Sequence, residues 1–349
     1  MKVVLPLGSI GWKGGDSYVE SLRIILEELI NDKQIEVVEY RSIAHFVFKF
    51  KKLLGKRLCE VISYQIYGHS AVNLPWPIVA RKRRPIFWIP DIQDLEVPEN
   101  FDSNEVKRRD RERTRVINRG GFFYFSSAYM ESAFLKHYPS AKSVGVVRFT
   151  SNMTFERVET VDPQIECKCF NDNSYLYAPN QWWIHKNHKL LIGAYSLYRM
   201  TGGKKHLVLS GPQNDSRAPE LESEILDLIL TTPYEIHNFG LISRNFQIGL
   251  FLNSAFVVQV SSYEGWSTIV EESLKFQKPL LLSDIPVHRE QASNEPLAQF
   301  CNSNDVSSIA VALKEMDNHN EHLKCNYDFR QGRFKNDLIR MLEKYKSNI

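Results

Sequence analysis

No Cys-x-x-Cys pair occurs among the scattered cysteines Cys59, Cys167, Cys169, Cys301 and Cys325. That removes the spacing of zinc and dithiol sites and favours a reducing, cytoplasmic setting. No apolar run approaches the ~18 residues of a membrane span, and residues 3–7 are too short an apolar stretch for a signal peptide. Charge of one sign is not in excess: 44 Lys and Arg against 41 Asp and Glu leave a net charge of +3, which gives no global case for a nucleic-acid partner. Gly8, Gly11, Gly14 and Gly15 do not spell G-x-G-x-x-G, and Lys13 does not complete a Walker loop, so the nucleotide motifs built on those patterns are absent.

What is present is material for two domains in 349 residues, and an alternation of apolar runs with amphipathic stretches. In the first half, strands are expected at 3–7, 35–40, 85–89 and 121–126, and helices at about 17–30, 105–118 and 128–137. Residues 148–173 lose periodicity and collect Thr, Asn, Asp and Pro, as a linker does. A second series follows, with strands at 174–178, 206–210, 236–239, 256–260 and 279–282 and helices at 185–200, 218–230, 244–253 and 268–276. Such alternation predicts α/β architecture, a parallel sheet covered on both faces in each half. The expected division is residues 1–160, residues 161–330, and a C-terminal helix over 331–349 that returns to the first domain.

The segment richest in chemistry is Phe256-Val-Val-Gln-Val-Ser-Ser-Tyr-Glu-Gly-Trp-Ser-Thr-Ile-Val-Glu-Glu-Ser. An apolar strand runs into a Glu-Gly turn and then a helix, so a ligand beyond the strand's carboxyl end meets a helix N-terminus. Thr268 and Glu271 have capping-box spacing, which assigns Glu271 to the helix end and leaves Glu272 for a ligand. A carboxylate placed there can accept both hydroxyls of a ribose. Glu264 can hold the hydroxyls of a sugar, and amides around Gly265 and Trp266 suit phosphate or sugar oxygens. Gly14 and Gly15 after the first strand permit close backbone approach to a phosphate or acceptor. His185 and His188 lie three apart with no third ligand nearby, and no metal is assigned to them.

With seven residues between Glu264 and Glu272, this segment and its continuation Pro279-Leu-Leu-Leu-Ser-Asp-Ile-Pro-Val-His-Arg-Glu-Gln resemble the signature of the family-4 retaining glycosyltransferases. Tyr177-Ala-Pro-Asn-Gln-Trp-Trp-Ile-His-Lys is similar to the same family's strand-turn-helix that grips the donor diphosphate. The family's usual Arg is Gln181 here, as in an O-antigen and capsule mannosyltransferase-like subgroup, while its Lys is present as Lys186. In the first half, Phe87-Trp-Ile-Pro-Asp-Ile-Gln-Asp resembles the acceptor-side loop, with Pro90 where many members carry His. There Asp91, Gln93 and Asp94 are either polar acceptor-side residues or caps of the next element.

The resemblance implies a GT-B fold, two Rossmann-like domains, and retaining transfer of a sugar from a nucleoside-diphosphate donor, GDP- or UDP-linked, to a hydroxyl of a glycan or lipid-linked glycan in surface polysaccharide or lipopolysaccharide synthesis. It implies Lys186, Glu264 and Asp91 as catalytic residues, with Gln181, Lys186, Gly211, Glu264, Gly265, Trp266, Ser267 and Glu272 around the donor. No Asp-x-Asp triplet of the metal-dependent transferases occurs, so the expectation is no metal and no cofactor. Other readings of the same residues are a catalytically silent sugar-nucleotide or partner-binding module, and a nucleotide-sugar epimerase.

Residues 45–62 place Phe46, Phe50, Leu53, Leu54, Leu58, Val61 and Ile62 at helical spacing with Lys49, Lys51, Lys52, Lys56 and Arg57 on the remaining surface. Such a helix either packs on its own domain or lies on an anionic membrane surface. With the resemblance, it implies a peripheral contact at the inner face of the plasma membrane.

Overall fold

The computed structural model describes residues 2–5, 13–31, 36–39, 72–73, 84, 86–151, 174–317 and 324–348. The chain divides into two compact units, residues 1–98 with 103–152 and 328–349, and residues 99–102 with 153–327. The amphipathic stretch at 45–62 and the expected boundary at 160/161 lie outside the described residues.

In the first unit, β1 (Lys2–Leu5) is followed by α1 (Lys13–Asn31), β2 (Glu36–Glu39) and β3 (Val72–Asn73), and the strands pair in parallel in the order β2-β1-β3. Next come β4 (Ile86–Ile89), the single turn α2 (Gln93–Glu96), α3 (Ser103–Asn118), β5 (Phe122–Phe125), α4 (Ala128–His137) and β6 (Lys142–Val146). Their strands form a second parallel sheet in the order β4-β5-β6. Helix α1 begins earlier than the glycines imply, so Gly14 and Gly15 stand in its first turn and not in a loop. The cost of glycine in a helix, about 1 kcal/mol per residue, is offset by the buried stripe Tyr18, Leu22, Ile25, Leu26 and Leu29, which holds the helix down. Tyr18 stacks on Trp88 with ring centroids 4.0 Å apart, and its hydroxyl donates to that of Tyr124 at 3.3 Å.

The second unit carries β7 (Tyr175–Ala178), α5 (His188–Met200), β8 (His206–Leu209), α6 (Leu221–Thr231), β9 (Ile236–Asn238), α7 (Arg244–Asn253), β10 (Phe256–Gln259) and α8 (Thr268–Lys275). Beyond these come β11 (Leu280–Ser283), α9 (Pro286–Ala292), β12 (Ala298–Cys301) and α10 (Val306–Asp317). The strands make one six-stranded parallel sheet in the order β12-β11-β10-β7-β8-β9. Every residue of β7, β10 and β11 is buried, the pattern of strands covered on both faces. Leu176, Leu207 and Val258 pack with Leu191, Tyr195 and Leu313 on one face. Tyr177, Val208 and Val257 pack with Phe246, Phe251 and Leu274 on the other.

The last helix, α11 (Tyr327–Ser347), belongs to the first unit from residue 328 onward. It buries Phe334, Leu338, Met341, Leu342 and Tyr345. The Tyr345 hydroxyl donates to the Arg84 carbonyl at 2.9 Å, and Arg148 pairs with Asp337 at 3.1 Å. No helix among the described residues is long and apolar enough to cross a membrane.

Candidate active site

From β7 the chain steps outward through β8 to β9, then returns to lay β10 on the other side of β7 and continues through β11 to β12. The order of connection therefore reverses between β7 and β10. Loops leaving the carboxyl ends of two such strands diverge and open a crevice. Residues 179–187 and 260–267 are those loops.

They are tied to each other and to their neighbours. The first ends in a single 3₁₀ turn, Ile184–Lys186, and then Asn187, a left-handed residue with φ 58°. Asparagine tolerates that conformation better than most residues. Its side-chain amide donates to the Val260 carbonyl at 2.9 Å and the Ser303 carbonyl at 3.3 Å, which pins the loop to the ends of β10 and β12. The Ser262 amide donates to the His185 carbonyl at 2.8 Å.

This lacing brings Lys186 and Glu264 together. Lys186 Nζ donates to Glu264 Oε1 at 2.5 Å, and Gln259 Nε2, from the last residue of β10, donates to the same oxygen at 2.6 Å. Burial alone would raise the Glu264 carboxyl, but the Lys186 ammonium outweighs it and holds the group at about 2. Glu264 is therefore a buried anion at neutral pH, with a cation beside it. Three buried imidazoles surround the pair. Burial, with Lys186 adding to it, pushes His185 and His188 down to about 3. Burial likewise takes His288 to about 4. His288 Nδ1 lies 2.9 Å from Ser283 Oγ.

The helix after the second loop departs from expectation at its start. The cap is Ser267, whose hydroxyl accepts from the Val270 amide at 3.4 Å, and not Thr268. Glu271 accordingly falls one position past the capping-box site. Its fully buried carboxylate instead accepts from Gln291 Nε2 at 2.9 Å and from the Tyr327 hydroxyl at 3.4 Å. Gln291 also grips both backbone groups of Ser267, at 3.2 and 2.8 Å, so α9 fixes the start of α8. Glu272 is 3% exposed and pairs through Oε1 with Arg244 of α7, leaving its buried Oε2 without a hydrogen-bond partner. Gly265 and Trp266 are buried in the turn between the two glutamates.

Gly211, after β8, has φ +135°, and a Cβ on it would stand 2.4 Å from the Asn180 carbonyl oxygen. Only glycine fits. Its amide donates to Gly240 O at 2.7 Å, and the Trp182 amide donates to Pro212 O at 2.8 Å. The backbone around Gln181 is thereby locked to the loop after β8.

In the first unit, Asp91 Oδ1 accepts from the Gln93 amide at 3.2 Å, a local turn just before α2, and lies 3.7 Å from Arg109. Asp94 is not available to a ligand in the way its position in the motif implies. It is 1% exposed and clamped by Arg113 at 2.6 and 2.7 Å. Gln93 is likewise buried. Gln259, Arg244 and Gln291 escaped sequence reading. A glutamine ending an apolar strand was a signal for the first, whereas nothing in the pattern marked the other two.

A Rossmann-like unit with a six-stranded parallel sheet, its charged pair at the switch point, and a first unit of parallel strands define a GT-B architecture, and the chain has that fold. It is similar to the structure of HepE from Anabaena in complex with UDP and glucose, with a TM-score of 0.64 and 12% identity over 99% of this chain and 98% of that one. It is also similar to a glycosyltransferase from Rickettsia africae, with a TM-score of 0.61 and 15% identity over 99% and 98% of the two chains. The match to TarM, with a TM-score of 0.54 and 13% identity, takes in 83% of this chain, which spans 55% of TarM. No family model matches the sequence, and no curated protein matches it significantly.

Proposed function

We propose that the protein is a retaining, metal-independent glycosyltransferase that moves a sugar from a nucleoside-diphosphate donor to a hydroxyl of a glycan or lipid-linked glycan. The observation that carries this reading is the Lys186–Glu264 contact at the switch point, with Glu272 on the helix that follows. The structural likeness to a transferase fold seen with UDP and glucose supports it.

In the reaction, the bond from the anomeric carbon to the diphosphate oxygen breaks and the acceptor hydroxyl oxygen bonds to that carbon. The diphosphate leaves with the electron pair, and the hydroxyl proton is released. Lys186 offsets the negative charge that grows on the leaving diphosphate, where a positioned cation lowers the barrier most. Glu264 holds sugar hydroxyls and Glu272 the ribose, with Gln181, Gly211, Gly265, Trp266 and Ser267 shaping the donor pocket. Gly14, Gly15 and half-exposed Asp91 are assigned to the acceptor side. Arg244, bound to Glu272, is displaced or shared when the ribose arrives. A peripheral contact with the inner face of the plasma membrane through residues 45–62 completes the proposal.

Lys186→Ala and Glu272→Ala are each expected to lower turnover by about 10²–10³-fold, measured as nucleoside diphosphate released, with circular dichroism unchanged. Near-normal turnover in either removes that residue from its role. Gln181 and Pro90, at positions where relatives carry Arg and His, favour a second reading as a silent sugar-nucleotide-binding module. That reading predicts a thermal shift with UDP- or GDP-sugars but no donor consumption.

A further inference from the structure

A second group of chemically competent side chains stands at the opposite end of the sheet from the switch-point loops. His206 is the first residue of β8, and Glu235 and His237 flank the first residue of β9, the edge strand. Leu207 is in register with Ile236 and Val208 with His237. Side chains alternate along strands, so His206, Glu235 and His237 share one face of the sheet. Glu235 Oε2 lies 3.6 Å from His206 Nδ1, and Glu235 Oε1 lies 3.4 Å from His237 Nε2. The ligand atoms of all three fall within 4.8 Å of one another.

We infer that His206, Glu235 and His237 form a binding site for one zinc-class divalent cation. Two imidazoles and a carboxylate are a donor set that Zn²⁺ takes readily, and bonds of ~2.0–2.2 Å place tetrahedral ligand atoms about 3.3–3.5 Å apart. The two Glu235 contacts already have nearly that spacing. His206 Nδ1 is buried with no hydrogen-bond partner, which leaves a nitrogen aimed at the carboxylate with no other bond to lose. The backbone beneath is held as well: the Tyr195 hydroxyl donates to the Glu235 carbonyl at 2.9 Å and approaches that of Lys205 at 3.4 Å. Supports of this kind fix the geometry of a metal's ligands. The side chain of Glu235 is 58% exposed, so the ion has a path from solvent and keeps one position for water. The bound ion would join the edge strand to β8 and raise the stability of the unit, since it binds the folded state in preference to the unfolded one. The inference is independent of the proposed transfer reaction.

The test is equilibrium dialysis of the full chain against Zn²⁺ alone, repeated with Co²⁺ to read its visible absorption. Wild type is compared with His206→Ala, His237→Ala and Glu235→Gln. One ion per chain is expected, with a rise in melting temperature and a Co²⁺ spectrum of four- or five-coordinate type. Each variant should weaken binding at least about tenfold, since even outer-shell losses reach that size. Glu235→Gln keeps the shape of an exposed side chain, so its fold is secure if a histidine variant misfolds. Absence of binding in wild type, or binding unchanged in Glu235→Gln and the histidine variants, overturns the inference.

Discussion

Gly211 is the residue with least latitude in the second unit. An L-residue at its φ carries a strain of about 1–3 kcal/mol, and contact with the Asn180 carbonyl adds to it. Gly211→Ala is expected to lower the urea midpoint accordingly and, on the proposed function, to weaken nucleotide binding, because the same contact locks Gln181. An unchanged midpoint would mean that the loop relaxes without penalty. Asp94 poses the opposite case, a charge whose value is its partner. Asp94→Ala leaves Arg113 buried without its carboxylate, at an expected loss of about 3–5 kcal/mol in urea unfolding, and Asp94→Leu with Arg113→Met should recover most of it. At this scale the sequence singled out Lys186 and Glu264, which the fold brings into contact, and Glu272, which the fold buries against Arg244. It was silent where a side chain is chosen by a distant neighbour. The pairing of Arg244 with Glu272 spans 28 residues and that of Gln291 with Glu271 spans 20, and no local pattern encodes either. Glu271 illustrates the failure best: its distance from Thr268 fits a cap, but Ser267 begins the helix one residue earlier and frees Glu271 for burial.

Among elements, α11 makes the most consequential placement. Its buried face is supplied by Phe334, Leu338, Met341, Leu342 and Tyr345. Leu338→Ala is expected to lower stability by about 2–5 kcal/mol, seen as an earlier unfolding transition of the first unit. Strands of the second unit were legible because burial on both faces leaves an unbroken apolar run, as in β10 and β11. Helices α4 and α7 were legible from their place in the alternation, and the structure adds their caps, Ser127 and Ser243, whose hydroxyls accept from the Met130 and Phe246 amides. One rim of the sheet, β12, was not legible. Strand β12 is only partly buried along most of its length, and a short edge strand with mixed polarity does not differ in pattern from a loop. The early start of α1 was hidden for a related reason, since glycine reads as a turn until tertiary packing overrides it.

For the molecule as a whole, the buried imidazoles of the second unit set an acid limit. His185, His188 and His288 have folded values of about 3, 3 and 4 against an ordinary 6.5. Below pH 6.5 the unfolded chain takes up protons that the folded chain refuses, so stability present above that pH is lost as pH falls towards 4. Each group contributes a slope of up to about 1.4 kcal/mol per pH unit. Glu264, lowered from 4.5 to about 2, continues the loss in that lower range. Urea midpoints measured from pH 7.5 to 4.5 should therefore fall steadily, and His288→Asn should flatten the decline. The broad architecture was legible in the alternation of strands and helices, because that rhythm is set by burial on a sheet and survives where individual residues have diverged.

The lacing of the switch-point loops has a thermodynamic consequence for any ligand that enters there. Asn187 is fastened to the ends of β10 and β12, His185 to Ser262, and Gly211 to Gly240. Folding itself has already frozen the backbone that, on the proposed function, a donor diphosphate touches. A ligand then meets a surface with little conformational freedom left to surrender, which removes from its binding the ordering penalty of a floppy loop. Loosening one fastening, as in Asn187→Gly, is accordingly expected to shift the proposed nucleotide binding towards a more unfavourable entropy in calorimetry while leaving every charged contact in place.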